Sequence, residues 1–393
     1  MRAHLSAALA IVVVTLPGVA AARPPASAQG SSAAGPAAGQ GSGVATPRVI
    51  NGRVVPQAAG SNLDATFRRL VAAQAEPGWI GYSVAAVQSG AGDHRFCCGD
   101  TYISDGVVIT NGRLATCGLE PGDRTVRTSQ GQPVQNQGPI RLEGPETMVV
   151  LYRVEEKAVQ KIRIFSPDCE LDAGGRTIQW LDGVNAVNSV RLLSTFVSRA
   201  EVKSDKVTDA AISAIAMHKD TAADVALEQL AGKDNPEFVR RKVTFWMGNA
   251  RGRRGFEAVK KIARDDPSED VRKSAMFGLS QSSDEQSIPE LVRFARQDAS
   301  PKVRGEAIFW LAQKAGQRAS AEITASIEND PDTDVKKRAV FALSQLPKDE
   351  GIPLLIKVAK TNQNPAVRKQ AMFWLGQSRD PRALDFFAQV LAK

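Results

Sequence analysis

The stretch DPSEDVRKSAMFGLSQ, residues 266–281, decides the fold of this chain because related stretches recur at a fixed interval. Residues 298–313 read DASPKVRGEAIFWLAQ and residues 330–345 read DPDTDVKKRAVFALSQ, each beginning 32 residues after the previous one. Further copies begin at Asp234 and Asn362. A period of this length, kept in register, indicates a repeat architecture.

Several positions of the repeat keep their chemical character from copy to copy. A valine five residues after the first position is followed by a basic residue, then by phenylalanine, a long apolar residue and an amide at fixed distances. The valines are Val239, Val271, Val303, Val335 and Val367. Prolines cluster just before the first helix, where they can begin a helix but cannot continue the preceding one. Each unit is therefore predicted to be a helix, a turn, a second helix and a short Asp/Pro loop.

The number of units sets the expected architecture. An older, weaker copy lies one period earlier, around Val207 and Ile215, so about six helix hairpins are expected. One hairpin cannot bury its apolar stripe alone, whereas stacked neighbours create a continuous core. The fold class predicted for the whole chain is mainly α, with an α-solenoid over residues 186–393.

The aspartate and basic columns are predicted to be structural. Ahead of a helix, an aspartate can accept the free backbone N–H groups, which is worth about 1 kcal/mol per cap. With the arginines it could also form a ladder along the loops. The columns comprise Asp234, Asp266, Asp298 and Asp330, and Arg240, Arg272, Arg304 and Arg368. We expect the amide column to bond backbone groups across neighbouring units.

The motif D-x4-V-(R/K)-x4-F-x-(L/M)-x-(Q/N) resembles the short bacterial HEAT-like repeats named after phycobilisome (bilin) lyases, over about residues 186–393. The resemblance implies an armadillo-type fold that is shared by bilin lyases, deoxyhypusine hydroxylases and many binding scaffolds. Those hydroxylases bind two irons through repeated His-Glu pairs. This chain has only His4, His94 and His218, and none precedes a glutamate. Because the His-Glu pairs are absent, the resemblance does not imply a di-iron site in this chain.

The first 60 residues are predicted to be an export signal and a linker. A positively charged start precedes an almost wholly apolar stretch, Leu5 to Ala22, and small residues follow at cleavage spacing. Most of the next residues are Ala, Gly, Ser, Pro and Gln, which bury almost nothing. We expect a signal peptide over residues 1–22, a disordered linker over 23–60, and a periplasmic or extracellular location. An uncleaved signal that serves as an anchor is the alternative.

Residues 61–185 predict a small mixed domain, mostly β. Strand-like runs lie at residues 79–87, 107–110, 148–153, 158–165 and 177–180, after a short helix from Leu63. The four cysteines of the chain lie in this part: Cys97, Cys98, Cys117 and Cys169. An even number in an oxidising compartment predicts two disulfides that staple the domain, in an order that the sequence leaves open. A four-thiolate zinc site is the alternative.

Catalytic motifs are missing from the pattern. The stretches at residues 48–52 and 107–117 faintly resemble a trypsin-like protease, but no base or nucleophile motif accompanies them. His94 beside Cys97 and Cys98 could form a nucleophilic or metal-binding pair. A surface histidine next to an oxidised cysteine pair is the simpler interpretation. We therefore expect no catalytic, cofactor-binding or metal-binding residues and no cofactor.

Charge suggests where a partner binds. The 393-residue chain has a net charge of +8 and a pI of about 9.4, which suits an acidic partner. Basic residues share two phases on the second helices: Lys261, Arg293 and Lys357 in one, and Arg264, Arg296 and Lys360 in the other. The resemblance implies that second helices line the concave face, so a basic stripe is predicted there. The alternative is that these basic residues lie on an ordinary solvated helix face. The Phe-Trp pairs of alternate units are interpreted as packing between units.

These patterns predict an exported scaffold that binds a protein, acidic in character, through its repeat surface. The alternative is that the cysteine-bearing domain is a sensor or enzyme and that the solenoid recruits its target. Nucleic acid is not expected, because of export and because the basic residues are interleaved with acidic ones. The oligomeric state is left open.

Overall fold

The structure is a computed structural model that describes residues 46–87, 101–104, 107–110, 117–120, 147–167, 169–200 and 205–392. The predicted signal peptide, the linker as far as residue 45, His94, Cys97 and Cys98 lie outside the described residues. Within the described ranges, no helix is both long enough and apolar enough to cross a membrane.

The N-terminal domain is a mixed α/β domain dominated by strands. The one helix in its described residues, α1 (Leu63–Ala73), follows the N-cap residue Asn62, whose side chain accepts a hydrogen bond from the backbone N–H of Ala65. The strands in the described residues are β1 (Arg48–Ile50), β2 (Arg53–Ala58), β3 (Gly78–Ala85), β4 (Thr101–Ser104), β5 (Val107–Thr110), β6 (Cys117–Gly118), β7 (Thr147–Glu155), β8 (Ala158–Phe165), β9 (Glu170–Asp172) and β10 (Thr177–Asp182).

A five-stranded sheet in the order β2-β10-β3-β7-β8 organises this domain. β10 is parallel to both of its neighbours, whereas β3, β7 and β8 are antiparallel. Side chains alternate between the two faces of the sheet. One face, with Trp79 and Leu151, packs against a small parallel sheet β1-β9-β6, and the other, with Tyr82 and Tyr152, packs against helices.

The predicted linker ends earlier than expected, because β1 and β2 lie within residues 48–58. Their pairing partners are β9 and β10, about 120 residues further along the chain. Residues such as Val49 and Val54 pack against the core beside the small sheet. Because the strands with which they pair are this distant in the sequence, β1 and β2 are not indicated by the residues next to them. The composition of the region therefore suggested a linker.

The C-terminal part is helical from α2 (Ala186–Ser194) onward and is a regular stack of hairpins. The described residues contain six: α3 (Lys206–Met217) with α4 (Thr221–Leu230), α5 (Glu237–Ala250) with α6 (Gly252–Asp265), α7 (Glu269–Gln281) with α8 (Ser287–Gln297), α9 (Pro301–Ala315) with α10 (Ser320–Asn329), α11 (Thr333–Ser344) with α12 (Lys348–Thr361), and α13 (Pro365–Gln377) with α14 (Pro381–Leu391). A mainly helical region after a mixed β-sheet domain is confirmed.

The two helices of each hairpin lie in layers of different spacing. Consecutive first helices pack directly on one another, whereas consecutive second helices scarcely touch. At one such contact the backbones of α5 and α7 meet: a Cβ added to Gly248 would lie 2.6 Å from the Cα of Gly278. We call the closely packed layer of first helices the inner layer and the layer of second helices the outer layer. The expectation that second helices line a concave face stays a prediction.

The sheet and the first hairpin share one hydrophobic core. Buried residues from Ala59 to Phe386 form a continuous cluster that includes the helix-facing side of the sheet and the interior of the stack. After β3, the backbone N–H of Val87 donates to the carbonyl oxygen of Met217 at 2.8 Å. The N-terminal domain thus covers the first hairpin, as a terminal cap of a solenoid does.

A buried hydrogen-bonded chain lies at this junction. His218 is completely buried, its Nδ1 donates to the carbonyl oxygen of Ala214 at 2.7 Å, and its Nε2 lies 2.8 Å from Ser189 Oγ. Ser189 Oγ lies 2.8 Å from Tyr82 Oη, which lies 2.6 Å from Tyr152 Oη. Burial lowers the pKa of His218 to about 4, so the ring is neutral at physiological pH.

Candidate interaction surface of the helical repeats

The arginine and aspartate columns meet across consecutive units. Arg304 donates from Nε and Nη2 to the two carboxylate oxygens of Asp330 in the next unit, at 2.8 and 2.9 Å. The hydrogen bonds that Arg304 donates to the Asp330 carboxylate raise the pKa of Arg304. The same pairing joins Arg240 to Asp266 and Arg272 to Asp298, at 3.0 and 3.4 Å. Arg304 also donates from Nη1 to the carbonyl oxygen of Asp298, so each rung links two loops.

Two members of the predicted columns stand outside this ladder. Asp234 is exposed, and its side chain has no hydrogen bond or ion pair in the part of the chain that the structure describes. Arg368 donates to the backbone carbonyl oxygens of Asn362 and Gln363 instead of to a carboxylate. The ladder in the described residues therefore has three rungs.

The ladder aspartates do not cap the first helices, contrary to the prediction. Asp266 Oδ1 accepts the N–H of Ser268 at 2.8 Å and closes a tight turn in the loop. The cap of α7 is Ser268, whose Oγ accepts the N–H of Val271. The same position holds Ser300, Asp332 and Asn364 in the following units. The loop offers two side chains that can accept hydrogen bonds, and the second one directly precedes the first residue of the helix, where a capping side chain reaches the free N–H groups.

The predicted basic stripe lies on the outer layer. Arg264 pairs with Asp265, Arg296 pairs with Glu322 of the next unit, and Arg293 pairs with Glu290. Lys360 lies over the ring of Phe386, 5.5 Å from its centroid. Lys261 and Lys357 are exposed and make no ion pair within the described residues. Where the sequence predicts a basic stripe, the described residues thus have two lysines without an ion pair, and these lysines are three units apart.

A continuous row of eight aromatic rings runs along the inner layer, and we call it the aromatic row. Its members in order of contact are Trp246, Phe245, Phe277, Trp310, Phe309, Phe341, Trp374 and Phe373, with ring centroids 4.5–5.8 Å apart. All eight rings are partly exposed, and Phe373 is 52% exposed. The prediction of packing between units describes their contacts but not their exposure.

Tryptophan and small residues alternate along the aromatic row. Trp310 lies against Phe277, whose neighbour is Gly278, and Trp374 lies against Phe341, whose neighbour is Ala342. The phenylalanines stack face to face in pairs, with interplanar angles of 19° for Phe245–Phe277 and 4° for Phe309–Phe341. The repeating unit of this surface is therefore two hairpins.

The turn that precedes each phenylalanine carries mostly positive charge, and we call it the basic edge. Its two positions hold Arg241 and Lys242, Lys273 and Ser274, Gly305 and Glu306, Lys337 and Arg338, and Lys369 and Gln370. The basic edge thus contains six cations and one carboxylate. Surface ion pairs occupy four of the cations, with Asp209, Asp270, Asp334 and Glu306. Arg241 and Lys369 are exposed and have no ion pair in the described part of the chain.

The turn that follows each phenylalanine carries the amide column. Asn249, Gln281, Gln313, Gln345 and Gln377 are all exposed. Gln281 and Gln345 donate to the hydroxyls of Ser280 and Ser344 in their own helices, so they do not bridge units as we expected. The side-chain amides of Asn249, Gln313 and Gln377 have no hydrogen bond among the described residues. These three belong to the units that carry tryptophan.

Two open grooves flank the aromatic row. The first has a volume of about 950 Å³ and is lined by Phe245, Trp246 and Phe277 with Arg241 and Asp270 on its rim. The second has a volume of about 920 Å³ and is lined by Phe309, Phe341 and Trp374 with Asp334 and Arg338 on its rim. An accessible apolar surface with a polar rim is typical of an interaction site.

Metal ligands and cysteines are the remaining candidates from the sequence. The described residues contain no group of three or more His, Cys, Asp or Glu side chains arranged to hold a metal ion. Cys117 and Cys169 are completely buried in the core beside the small sheet. The predicted disulfides and the zinc alternative both require Cys97 and Cys98 and stay predictions.

Comparison with known proteins identifies the repeats. Residues 256–324 and 320–393 match the family of HEAT repeats. Human deoxyhypusine hydroxylase in complex with glycerol is similar at 14% identity, with 52% of this chain and 90% of that chain covered and a TM-score of 0.29. The Escherichia coli protein YibA is similar at 19% identity, with 52% of this chain and 76% of that chain covered and a TM-score of 0.32. The CpcE–CpcF complex of phycocyanin lyase from Nostoc is similar at 19% identity, with 51% of this chain and 80% of that chain covered and a TM-score of 0.28. No curated protein sequence matches this chain.

The family match covers residues 256–393, so this part of the stack consists of HEAT repeats. The described residues form an α-solenoid that follows a mixed β-sheet domain. HEAT repeats are generally scaffolds for protein–protein interaction.

Proposed function

We propose that this chain is an exported, non-catalytic scaffold that binds a protein partner of acidic character through the inner layer of its HEAT repeats. The observation that carries the proposal is the aromatic row: eight contiguous rings, each partly exposed, on one layer of the stack. Aromatic residues are enriched at protein interfaces because each buries a large apolar area at a low cost in conformational entropy.

Position, rather than free charge, supports the choice of the inner layer over the predicted stripe. Four of the six cations are engaged in the basic edge and four of the six in the stripe, but the basic edge borders the partly exposed rings of the aromatic row. An acidic partner approaching the inner layer would be attracted at a distance and then bury the rings. Export, two disulfides in the N-terminal domain and the absence of a nucleic-acid partner belong to the same proposal and rest on the sequence patterns.

The test is in-cell crosslinking with the full chain, followed by purification from the cell envelope fraction. We expect a stoichiometric protein partner whose crosslinked positions fall on the first helices. A photo-crosslinking residue at position 241 reports on the inner layer, and one at position 261 is the matched exposed position on the outer layer. Crosslinks from position 261 alone would contradict the choice of layer, and no stoichiometric partner from either position would contradict the scaffold itself.

A further inference from the structure

The ladder is interrupted where a fourth rung would follow the pair of Arg304 and Asp330. At this place Lys336 replaces the arginine and Asn362 replaces the aspartate, at the same positions of the 32-residue period. Lys336 Nζ donates to the backbone carbonyl oxygen of Glu328 at 2.8 Å and makes no ion pair within the described residues. The interrupted rung has therefore lost its carboxylate and has kept a cation.

The amide of Asn362 places a hydrogen-bond donor where the earlier rungs have a carboxylate oxygen. Its Oδ1 accepts the backbone N–H of Asn364 at 3.0 Å, as Asp330 Oδ1 accepts that of Asp332 at 2.8 Å. Its Nδ2 therefore corresponds to Asp330 Oδ2, the atom that accepts the hydrogen bond from Nε of Arg304. This Nδ2 makes no hydrogen bond among the described residues. The interrupted rung thus has a donor on each side, and no carboxylate of the described part of the chain bridges them.

A cavity with a volume of about 300 Å³ lies at the interrupted rung and is smaller and more enclosed than the two grooves of the inner layer. Lys336 and Asn362 line it together with Lys357, which is exposed and has no ion pair within the described residues. Glu328 is the one carboxylate residue of its lining. Two cations against one carboxylate give the lining a positive net charge, and the volume is at the lower end of the range for small-molecule sites.

Part of the cavity wall is apolar. Ile327 is completely buried, Val358 is 7% exposed, and Leu354 is half-buried. Aliphatic side chains hold the hydrocarbon part of a ligand, which a phosphate or a sulfate lacks. An ammonium group has three donors, so Lys336 can bind a carboxylate and keep its bond to the carbonyl oxygen of Glu328. The lining therefore suits an organic acid better than an inorganic anion.

We propose that the interrupted rung binds the carboxylate group of a small organic acid, whose hydrocarbon part packs against Ile327, Leu354 and Val358. The carboxylate of the ligand takes the place of the loop aspartate of the earlier rungs and accepts hydrogen bonds from Lys336 and Asn362. This inference goes beyond the proposed scaffold function and does not depend on it, because the cavity is lined by second helices and a loop and not by the aromatic row.

The experiment compares carboxylates with their uncharged amides on the full chain. Butyrate, isovalerate, hexanoate and benzoate are titrated by ligand-observed NMR, beside the primary amide of each acid and beside inorganic phosphate. We expect at least one acid to bind about tenfold or more tightly than its amide, because the amide has nearly the same shape but lacks the charge that strengthens the hydrogen bonds. The same acid should bind more tightly than phosphate, which has no hydrocarbon part.

A variant that completes the fourth rung tests the site and preserves the fold. The change is Lys336→Arg with Asn362→Asp, which supplies the ion pair of the preceding rung, so the new carboxylate occupies the place of the ligand. We expect the acid to bind this variant about tenfold or more weakly. Gln286→Asp is the matched control, because it adds the same negative charge at an exposed position two units away, and it should change the affinity less than about threefold. Circular dichroism confirms that both variants fold.

Other outcomes overturn the proposal. Acids that bind no more tightly than their amides, or that bind the completed-rung variant as tightly as the wild type, would refute a carboxylate site at the interrupted rung. Phosphate that binds more tightly than every acid would refute the role of the apolar wall, and the absence of binding by all the acids at millimolar concentration would refute the site. None of these results changes which positions crosslink to a protein partner, so the scaffold function is tested separately.

Discussion

Asp330→Ala is the most direct test of how the repeats are held in register. Asp330 and Arg304 are 6% and 9% exposed at the side chain, and two charge-assisted hydrogen bonds join them. Removal of one partner from a buried ion pair costs about 3–5 kcal/mol, because the other charge stays buried without compensation. Arg304 keeps its bond to the carbonyl oxygen of Asp298, which reduces this penalty. We therefore expect a loss of about 3 kcal/mol in the free energy of unfolding.

The assay is urea unfolding followed by circular dichroism, on the wild type, Asp330→Ala, Arg304→Leu and the double variant. The double variant should lose less than the sum of the single losses, because it leaves no unpaired charge. Arg368→Leu is the matched control, since within the described residues this arginine bonds only backbone carbonyls, and a loss of about 1 kcal/mol is expected. Equal losses for Arg304→Leu and Arg368→Leu would refute the reasoning, because the carboxylate would then add nothing.

Three further predictions concern the junction, the helix contact and the cap. The pKa of His218 is about 4 in the folded protein and 6.5 in the unfolded chain, so the unfolded chain binds the extra proton between these values. Stability should fall by about 3 kcal/mol as pH decreases from about 6.5 to about 4, and His218→Gln should flatten this profile in urea unfolding at each pH. Gly248→Ala should destabilise the stack by about 1–3 kcal/mol in urea unfolding, despite its better helix propensity, because α5 and α7 must separate; a gain in stability would contradict the close contact. A chain lacking residues 46–185 should lose hydrogen-exchange protection in α3 and keep it in α9 to α13, and unchanged protection of α3 would show that the sheet does not cap the stack.

The helical half could be predicted because its information is local. A 32-residue period places Val271, Phe277 and their equivalents on the same faces of consecutive hairpins, and only a stack can bury them. Strands β3, β7, β8 and β10 were also visible from local patterns. β1 and β2 were missed because their partners lie about 120 residues away. These strands are stabilised by hydrogen bonds to β9 and β10, which the composition of the region does not reveal.

The candidate interaction surface was harder to predict because it depends on geometry between units. The sequence shows that Lys261 and Arg293 share a phase, but it does not show which helix layer is the more closely spaced. It also does not show that Arg296 meets Glu322 of the next unit. One local signal was available for the aromatic row: each phenylalanine has polar residues one turn before and one turn after it in nearly every unit. A core position is seldom flanked in this way, so the column belonged to a surface.

The alternation of tryptophan with glycine or alanine along the aromatic row has a consequence for motion along it. A ligand displaced by one hairpin would meet Gly278 or Ala342 where it had met Trp246 or Trp310, and an internally bonded amide where it had met an available one. Only a displacement by two hairpins restores the same contacts. Equivalent contacts along the aromatic row therefore recur every two hairpins. A chain bound there would keep its contacts only after a shift of two hairpins, and one correctly placed anchor would fix the alignment of all the residues that follow it.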